Sequence, residues 1–334
     1  MKNGRTFWAI VLTFGLLIGF GDLTGMASAE VTLRYAGDLP IGNHLTRTQE
    51  FFAKRVEELS KKQIKVDVYP AGQLFAAKDY SKAVPSGAVD MAQVLLGQWT
   101  GIVPAYMIVD MPLYYENWVH IWKVMDSPVG ETIKKEIEKT GVKQICWTQD
   151  GSAGFVSKSP IRKLEDWKGK KIRAYTELSA YAIRALGAAP AFMGGGEVYM
   201  ALQRGTVDGA ISTLTSFYDR KYFEVTKYLV IPPMAGPIYG VIINLQKWNG
   251  LTAAQQEVLM AAGKETQDWA RKEVQAVEGQ AVEELKKKGM EVYYLPKEER
   301  QRWVNATQKP VRDAVLEKTG ETGKKLMEQT DKIK

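Results

Sequence analysis

Apolar and polar positions alternate in short bursts along this chain, and the period of alternation changes from one burst to the next. "EVTLRYAGD" (30–38) alternates with period two and reads as a strand. "HLTRTQEFFAKRVEELSKK" (44–62) places Leu45, Phe52, Val56 and Leu59 at helical spacing, and "IKVDVYP" (64–70) returns to a strand that stops at a proline. A helix over 76–84 and a strand within "AVDMAQVLL" (88–96) complete a β-α-β-α-β rhythm. That rhythm predicts a mainly parallel sheet with helices on both faces.

The pattern then repeats. "SGAVDMA" (86–92) and "RGTVDGA" (204–210) share the frame G-x-V-D-x-A, each after an amphipathic helix and before a strand. In the second copy Val198, Ala201 and Leu202 form the buried stripe, and Gly205 suits a left-handed helix stop. A shared frame at the same local position predicts two similarly wound lobes, although turn chemistry alone also favours Gly before a strand. Residues 251–288 form one long helical stretch that Thr252 can cap and Gly289 can end, with Gly263 and Gly279 as candidate bends. At 1.5 Å per residue such a helix reaches roughly 50 Å and must cross more than one lobe. "MEVYYLP" (290–296) is a further strand, and the C-terminal region is charged, amphipathic helix. No flexible linker separates the lobes, so several chain crossings are expected to join them.

The N-terminus has another character. Lys2 and Arg5 precede the apolar run "FWAIVLTFGLLIGF" (7–20), and "ASA" (27–29) offers small residues for cleavage after Ala29. The run is short for a membrane span, so residues 1–29 read as a secretory signal peptide and the mature chain as an exported protein. Among the 334 residues, 45% hydrophobic and 25% charged, there is material for two ordinary domains without a disulfide. The single cysteine, Cys146, lies in an apolar strand-like run and reads as a small buried hydrophobe. Removing Lys2, Arg5 and Asp22 leaves 43 basic and 37 acidic residues, a charge of +6. The lysines are interleaved with acids, as in "KKEIEK", so they form solvated helix faces rather than a nucleic-acid surface, and the mild positive field steers small anions.

The stretch "GKKIRAYT" (169–176) carries the clearest candidate chemistry. Arg173 sits inside a predicted strand, where a guanidinium needs an anionic partner. Three readings are open from the residues: a structural ion pair with an internal acid, a side chain that points to solvent, or a fork that grips a carboxylate with two parallel hydrogen bonds. Trp99 in "GQWTG", with Gln98 beside it, Trp147, Tyr175, Phe217 and Tyr239 are either cavity walls or ordinary core. Asn43 and His44 lie where the first strand hands over to the first helix, the ligand side of an open α/β sheet, although a capping role explains Asn43 equally well. "GGG" (194–196) lacks the spacing of a phosphate loop and better suits a helix start. Two distant histidines and one cysteine exclude most His-dependent triads and zinc sites, so an exported enzyme is the weaker reading.

Five stretches, "VYPAGQL" (68–74), "SGAVDMA", "PIRKLEDWKGKKIR" (160–173), "GGEVYMALQRGTVDGA" (195–210) and "KYFEVTKYL" (221–229), occur in an order that resembles the extracytoplasmic solute-binding proteins of TRAP transporters, of the DctP type. The resemblance implies a two-lobed α/β fold of the type II periplasmic binding proteins, with residues 30–152 and 241–280 in lobe I and 153–240 and 281–334 in lobe II. It implies a periplasmic receptor that closes on a small organic acid and delivers it to TRAP membrane permease subunits, and a monomer is expected with a dimer as the alternative. No cofactor or nucleic acid is expected, and no acidic cluster calls for the metal ion that some family members use to bridge protein and ligand. Arg173 stands at the family's carboxylate-binding position. Ser212 replaces the family's usual asparagine, Gly195 an aromatic residue, and Ser152 and Ala153 lie where another arginine is often found. One arginine and a missing ring predict a roomier pocket and a bulkier monocarboxylate, aromatic or 2-oxo/hydroxy substituted. A C4-dicarboxylate, a sulfonate or a sensor role is the alternative.

Overall fold

The structure is a computed structural model and describes residues 31–333 except Pro233, so the expected signal peptide lies outside the described residues. Eleven strands are formed among those residues: β1 Val31–Ala36, β2 Ile64–Tyr69, β3 Met91–Leu95, β4 Val142–Gln149, β5 Ala153–Ser157, β6 Lys171–Ala174, β7 Ala189–Phe192, β8 Gly209–Thr213, β9 Tyr228–Ile231, β10 Ile238–Asn244 and β11 Glu291–Tyr294. They assemble into two sheets, β2-β1-β3-β10-β4 and β11-β9-β5-β8-β6-β7. Both sheets are mixed: β1 pairs parallel with β2 and β3, whereas β10 runs antiparallel between β3 and β4. In the second sheet β6 pairs parallel with β7 and β8, and β5 runs antiparallel to β8 and β9.

The repeated G-x-V-D-x-A frame performs the same local task in both sheets. Gly87 and Gly205 take positive φ values of 76° and 72°, which a residue without Cβ adopts at no steric cost. The following aspartate then reaches the neighbouring parallel strand. Asp90 accepts the Arg34 backbone N–H at 2.8 Å, and Asp208 accepts that of Lys171 at 2.7 Å. The two lobes are thus wound alike where the motif predicts it.

Among the described residues four segments join the lobes: 150–152 between β4 and β5, the chain between β9 and β10, the helix Ala253–Lys287 and the C-terminal helix Lys297–Thr330. Thr252 caps the first of these helices by accepting the Gln255 N–H, with Gln255 answering in a capping box. It packs on the helix His44–Leu59 and on β4 in lobe I, and on the helix Leu214–Asp219 in lobe II. Gly263 serves packing rather than bending, because a Cβ there would lie 2.6 Å from the Ile145 side chain.

The last helix, Lys297–Thr330, is broken at Gly320, whose φ and ψ of 56° and −142° are non-helical. Its start packs in lobe II, where Trp303, Trp167 and Phe155 meet edge to face with ring centroids 4.8–5.8 Å apart. Its later residues, Val311, Val315, Leu326 and Met327, join the core of lobe I. The structure therefore differs from the expected lobe limits twice. The C-terminal helix spans both lobes, and residues 238–240 belong to the first sheet through β10. The charged helical pattern of the C-terminus hid this crossing because only one narrow stripe of it is apolar.

Candidate functional site

Arg173 lies on β6, flanked by β7 and β8, and is 5% exposed. Its Nε–H and one Nη2–H donate to the Met193 carbonyl, each at 3.2 Å, and one Nη1–H donates to the Ile211 carbonyl at 2.9 Å. A guanidinium carries five N–H donors. Among the described residues one hydrogen on Nη1 and one on Nη2 have no acceptor, the number that a carboxylate fork requires. Among the described residues Arg173 forms no ion pair, and burial pushes its pKa down to about 10, with Arg220 pressing in the same direction. The Tyr175 ring lies 5.9 Å from the guanidinium carbon.

These groups face an interlobe cavity of about 60 Å³. Lobe I contributes Tyr80, Gln98, Trp99 and Tyr239, the first crossing contributes Asp150, and lobe II contributes Arg173, Tyr175, Ser212 and Arg220. Two buried oxygens on this lining, the Tyr80 hydroxyl and Asp150 Oδ1, find no hydrogen-bond partner among the described residues. Such orphaned groups cost free energy unless something supplies the missing bond. Burial pushes the Asp150 carboxyl up to about 7 despite the opposing pull of Arg220. Among the described residues no cluster of His, Cys, Asp and Glu is placed to hold a metal ion.

Past Gln98, Tyr175 and Gly195 the cavity adjoins an outer cleft of about 870 Å³ that shares those residues. Tyr181, Phe192 and Met193 line that cleft, with Phe192 69% exposed, and Lys78 and Arg184 stand at its edge.

The structure brings Arg173, Ser212, Gln98, Trp99, Tyr175, Gly195 and Tyr239 to the inner cavity and leaves four sequence candidates outside it. Trp147, 2% exposed, packs into the lobe I core, its backbone N–H donating to Gln267 at 3.1 Å. Phe217 is fully buried in the lobe II core behind Tyr222, with ring centroids 6.1 Å apart. Asn43 caps its helix by accepting the Leu45 N–H at 2.9 Å, and its Nδ2–H donates across the lobes to Asp219 at 2.9 Å. His44 lines a separate cavity, and burial pushes its pKa down to about 4, so it is neutral at neutral pH. Its Nε2 stands 3.7 Å from Asp150 Oδ1, too far for a hydrogen bond.

Sequence reasoning missed Arg220, Asp150 and Tyr80. It also read the missing ring at Gly195 as open space. A Cβ at Gly195 would lie 1.7 Å from Arg220 Nη1, so that space is occupied by a second guanidinium. The available signal was an arginine eight residues after Ser212, in "YDRKY".

Burial also governs Asp110, which meets Thr176 of lobe II and whose carboxyl is pushed up to about 7 despite the Thr176 hydrogen bond. An aspartate that ionises near 3.8 when unfolded and near 7 when folded favours the folded state only while protonated. Its contribution is complete below pH 3.8 and is lost as pH rises through 7. Asp150 and Glu278 act in the same direction, whereas His44 costs stability as pH falls below its unfolded value of 6.5. Asp110→Asn should therefore leave the melting temperature almost unchanged at pH 4 and raise it most at pH 8. Calorimetric melts across that range check the slope, and a uniform shift at every pH would contradict it.

Two lobes closing over a buried, unpaired arginine define a solute-binding architecture, and the comparisons with known proteins agree. The profile of the bacterial extracellular solute-binding proteins, family 7 (DctP), matches residues 40–318. The chain belongs to this family, which comprises the extracytoplasmic solute-binding components of TRAP transporters. It is 30% identical over 275 residues, 80% of this chain and 82% of the relative, to the C4-dicarboxylate-binding periplasmic protein DctP of Rhodobacter capsulatus. It is 26% identical, with 93% and 96% covered, to the 2,3-diketo-L-gulonate-binding periplasmic protein of Escherichia coli. A TRAP periplasmic solute-binding protein from Ochrobactrum anthropi superposes with a TM-score of 0.85 at 29% identity, covering 91% of this chain and 96% of that one.

Proposed function

We propose that the protein captures a small organic acid between its lobes in the periplasm and delivers it to a TRAP-type permease driven by an ion gradient. The observation that carries this reading is the pair of unused N–H donors on buried Arg173. A buried cation without a partner costs several kcal/mol, so closure is favourable only around an anion. The acids named for relatives, a C4-dicarboxylate and a diketo sugar acid, are anions as well. The small inner cavity takes the acid head, and the outer cleft with Phe192, Tyr181 and Met193 accepts a larger body. A monocarboxylate with an aromatic or 2-oxo/hydroxy-substituted body fits that division.

A thermal-shift screen of the mature protein against an organic-acid library tests the reading. A ligand at 100 times its dissociation constant adds about 2.7 kcal/mol to stability. Acids should raise the melting temperature while their neutral amides leave it unchanged. Equal shifts with the amides would remove the anion from the account.

A further inference from the structure

Gly195 and Arg220 form one device. The ideal Cβ of Gly195 would stand 1.7 Å from Arg220 Nη1 and 2.8 Å from its Cζ, so a side chain at 195 and the guanidinium exclude each other. Arg220 follows the helix Leu214–Asp219 and reaches back over the Gly194–Glu197 turn, where the Tyr222 hydroxyl donates to the Gly195 carbonyl at 3.3 Å. Its guanidinium lines the same cavity as that of Arg173. Burial alone would depress the pKa of Arg220, but Tyr222, Asp150 and Tyr239 outweigh it, and the residue stays charged.

Among the described residues neither arginine forms an ion pair within 4 Å. Two cations facing one buried space repel each other and are both poorly solvated. A purely structural tie would be better served by an uncharged side chain. The unpartnered Tyr80 hydroxyl on the same wall is a second sign that a polar guest completes the site.

We propose that Arg220 determines specificity in this cavity: Arg173 takes the carboxylate, and Arg220 takes a second oxygen acceptor borne close to it. The inference rests on the acid-binding reading and narrows it. The inner space of about 60 Å³ admits only a few heavy atoms, so both acceptors belong to one compact head. A 2-oxo or 2-hydroxy carboxylate, or a short dicarboxylate, satisfies both cations; a plain monocarboxylate leaves Arg220 buried and unmatched.

Titration calorimetry with butanoate, 2-oxobutanoate and succinate, on the wild-type chain, Arg220→Met and Gly195→Ala, tests this. Gly195→Ala displaces the guanidinium without removing its charge. The wild type should prefer 2-oxobutanoate or succinate to butanoate by at least about tenfold, the scale of one charge-assisted hydrogen bond. Both variants should reduce that preference to within about threefold, and the better acid of the two identifies the second acceptor. A preference that survives in both variants overturns the assignment. Ligand-free melting supplies an independent reading: Arg220→Met should melt close to wild type, because relief of the repulsion on Arg173 offsets loss of the attraction to Tyr222, Asp150 and Tyr239. A melt several degrees lower makes Arg220 a structural tie and overturns the proposal. A wild type that binds none of the three acids counts against the acid-binding reading itself, and the melting comparison still decides the role of Arg220.

Discussion

Arg173→Lys should weaken acid binding by an order of magnitude or more, and Arg173→Met should abolish measurable binding at millimolar acid. Lysine keeps the charge but replaces a planar fork with a single ammonium, so two parallel hydrogen bonds cannot both form. It also loses the anchoring that fixes the fork, because the Met193 and Ile211 carbonyls hold the guanidinium from opposite sides. Each charge-assisted bond is worth about 1.5–3 kcal/mol, and about 1.4 kcal/mol is tenfold in affinity. Titration calorimetry with the acid that gives the largest thermal shift measures the loss. Equal affinity for Arg173→Lys would take Arg173 out of the carboxylate role.

Gly236→Ala should carry the second large effect, and here the cause is steric. Gly236 lies on the crossing between β9 and β10, and its Cβ would stand 1.8 Å from the Gly151 carbonyl oxygen and 2.9 Å from the Ala153 nitrogen. Both are backbone atoms, the first in the crossing between β4 and β5 and the second at the start of β5, so no side-chain rotation relieves the clash. The neighbouring Pro237 carbonyl accepts the Asp150 N–H at 3.2 Å, so separating the crossings also moves Asp150 on the cavity wall. Overpacking of this kind costs about 1–3 kcal/mol. The melting temperature should fall by about 2–4 °C per kcal/mol, and acid affinity should fall with it. An unchanged melt and unchanged affinity would mean that the crossings separate without cost.

Local pattern carried much of the fold. The alternation in 30–38 and 64–70 and the caps at Thr252 and Gly289 correspond to β1, β2 and the long crossing helix, because each rests on neighbours in sequence. The repeated aspartate frame was legible for the same reason, since its glycine and carboxylate act within a few residues. What sequence could not supply was which face of a buried strand looks into the cleft. Trp147 and Tyr239 sit on paired strands, β4 and β10, yet only Tyr239 reaches the cavity. Strands buried on both faces give no polar side to orient them. Arg220 was missed because the space it fills is made by a glycine 25 residues away, and that pairing exists only once β7 and β8 flank β6.

On the proposed function an anion completes Arg173. A crystal structure of the protein with the acid that stabilises it most tests this directly. Two carboxylate oxygens should lie about 3 Å from Nη1 and Nη2 of Arg173, with the carbonyl bonds to Met193 and Ile211 intact. A carboxylate seated in the outer cleft, with the Arg173 fork turned onto one of the protein's own acids, would contradict it.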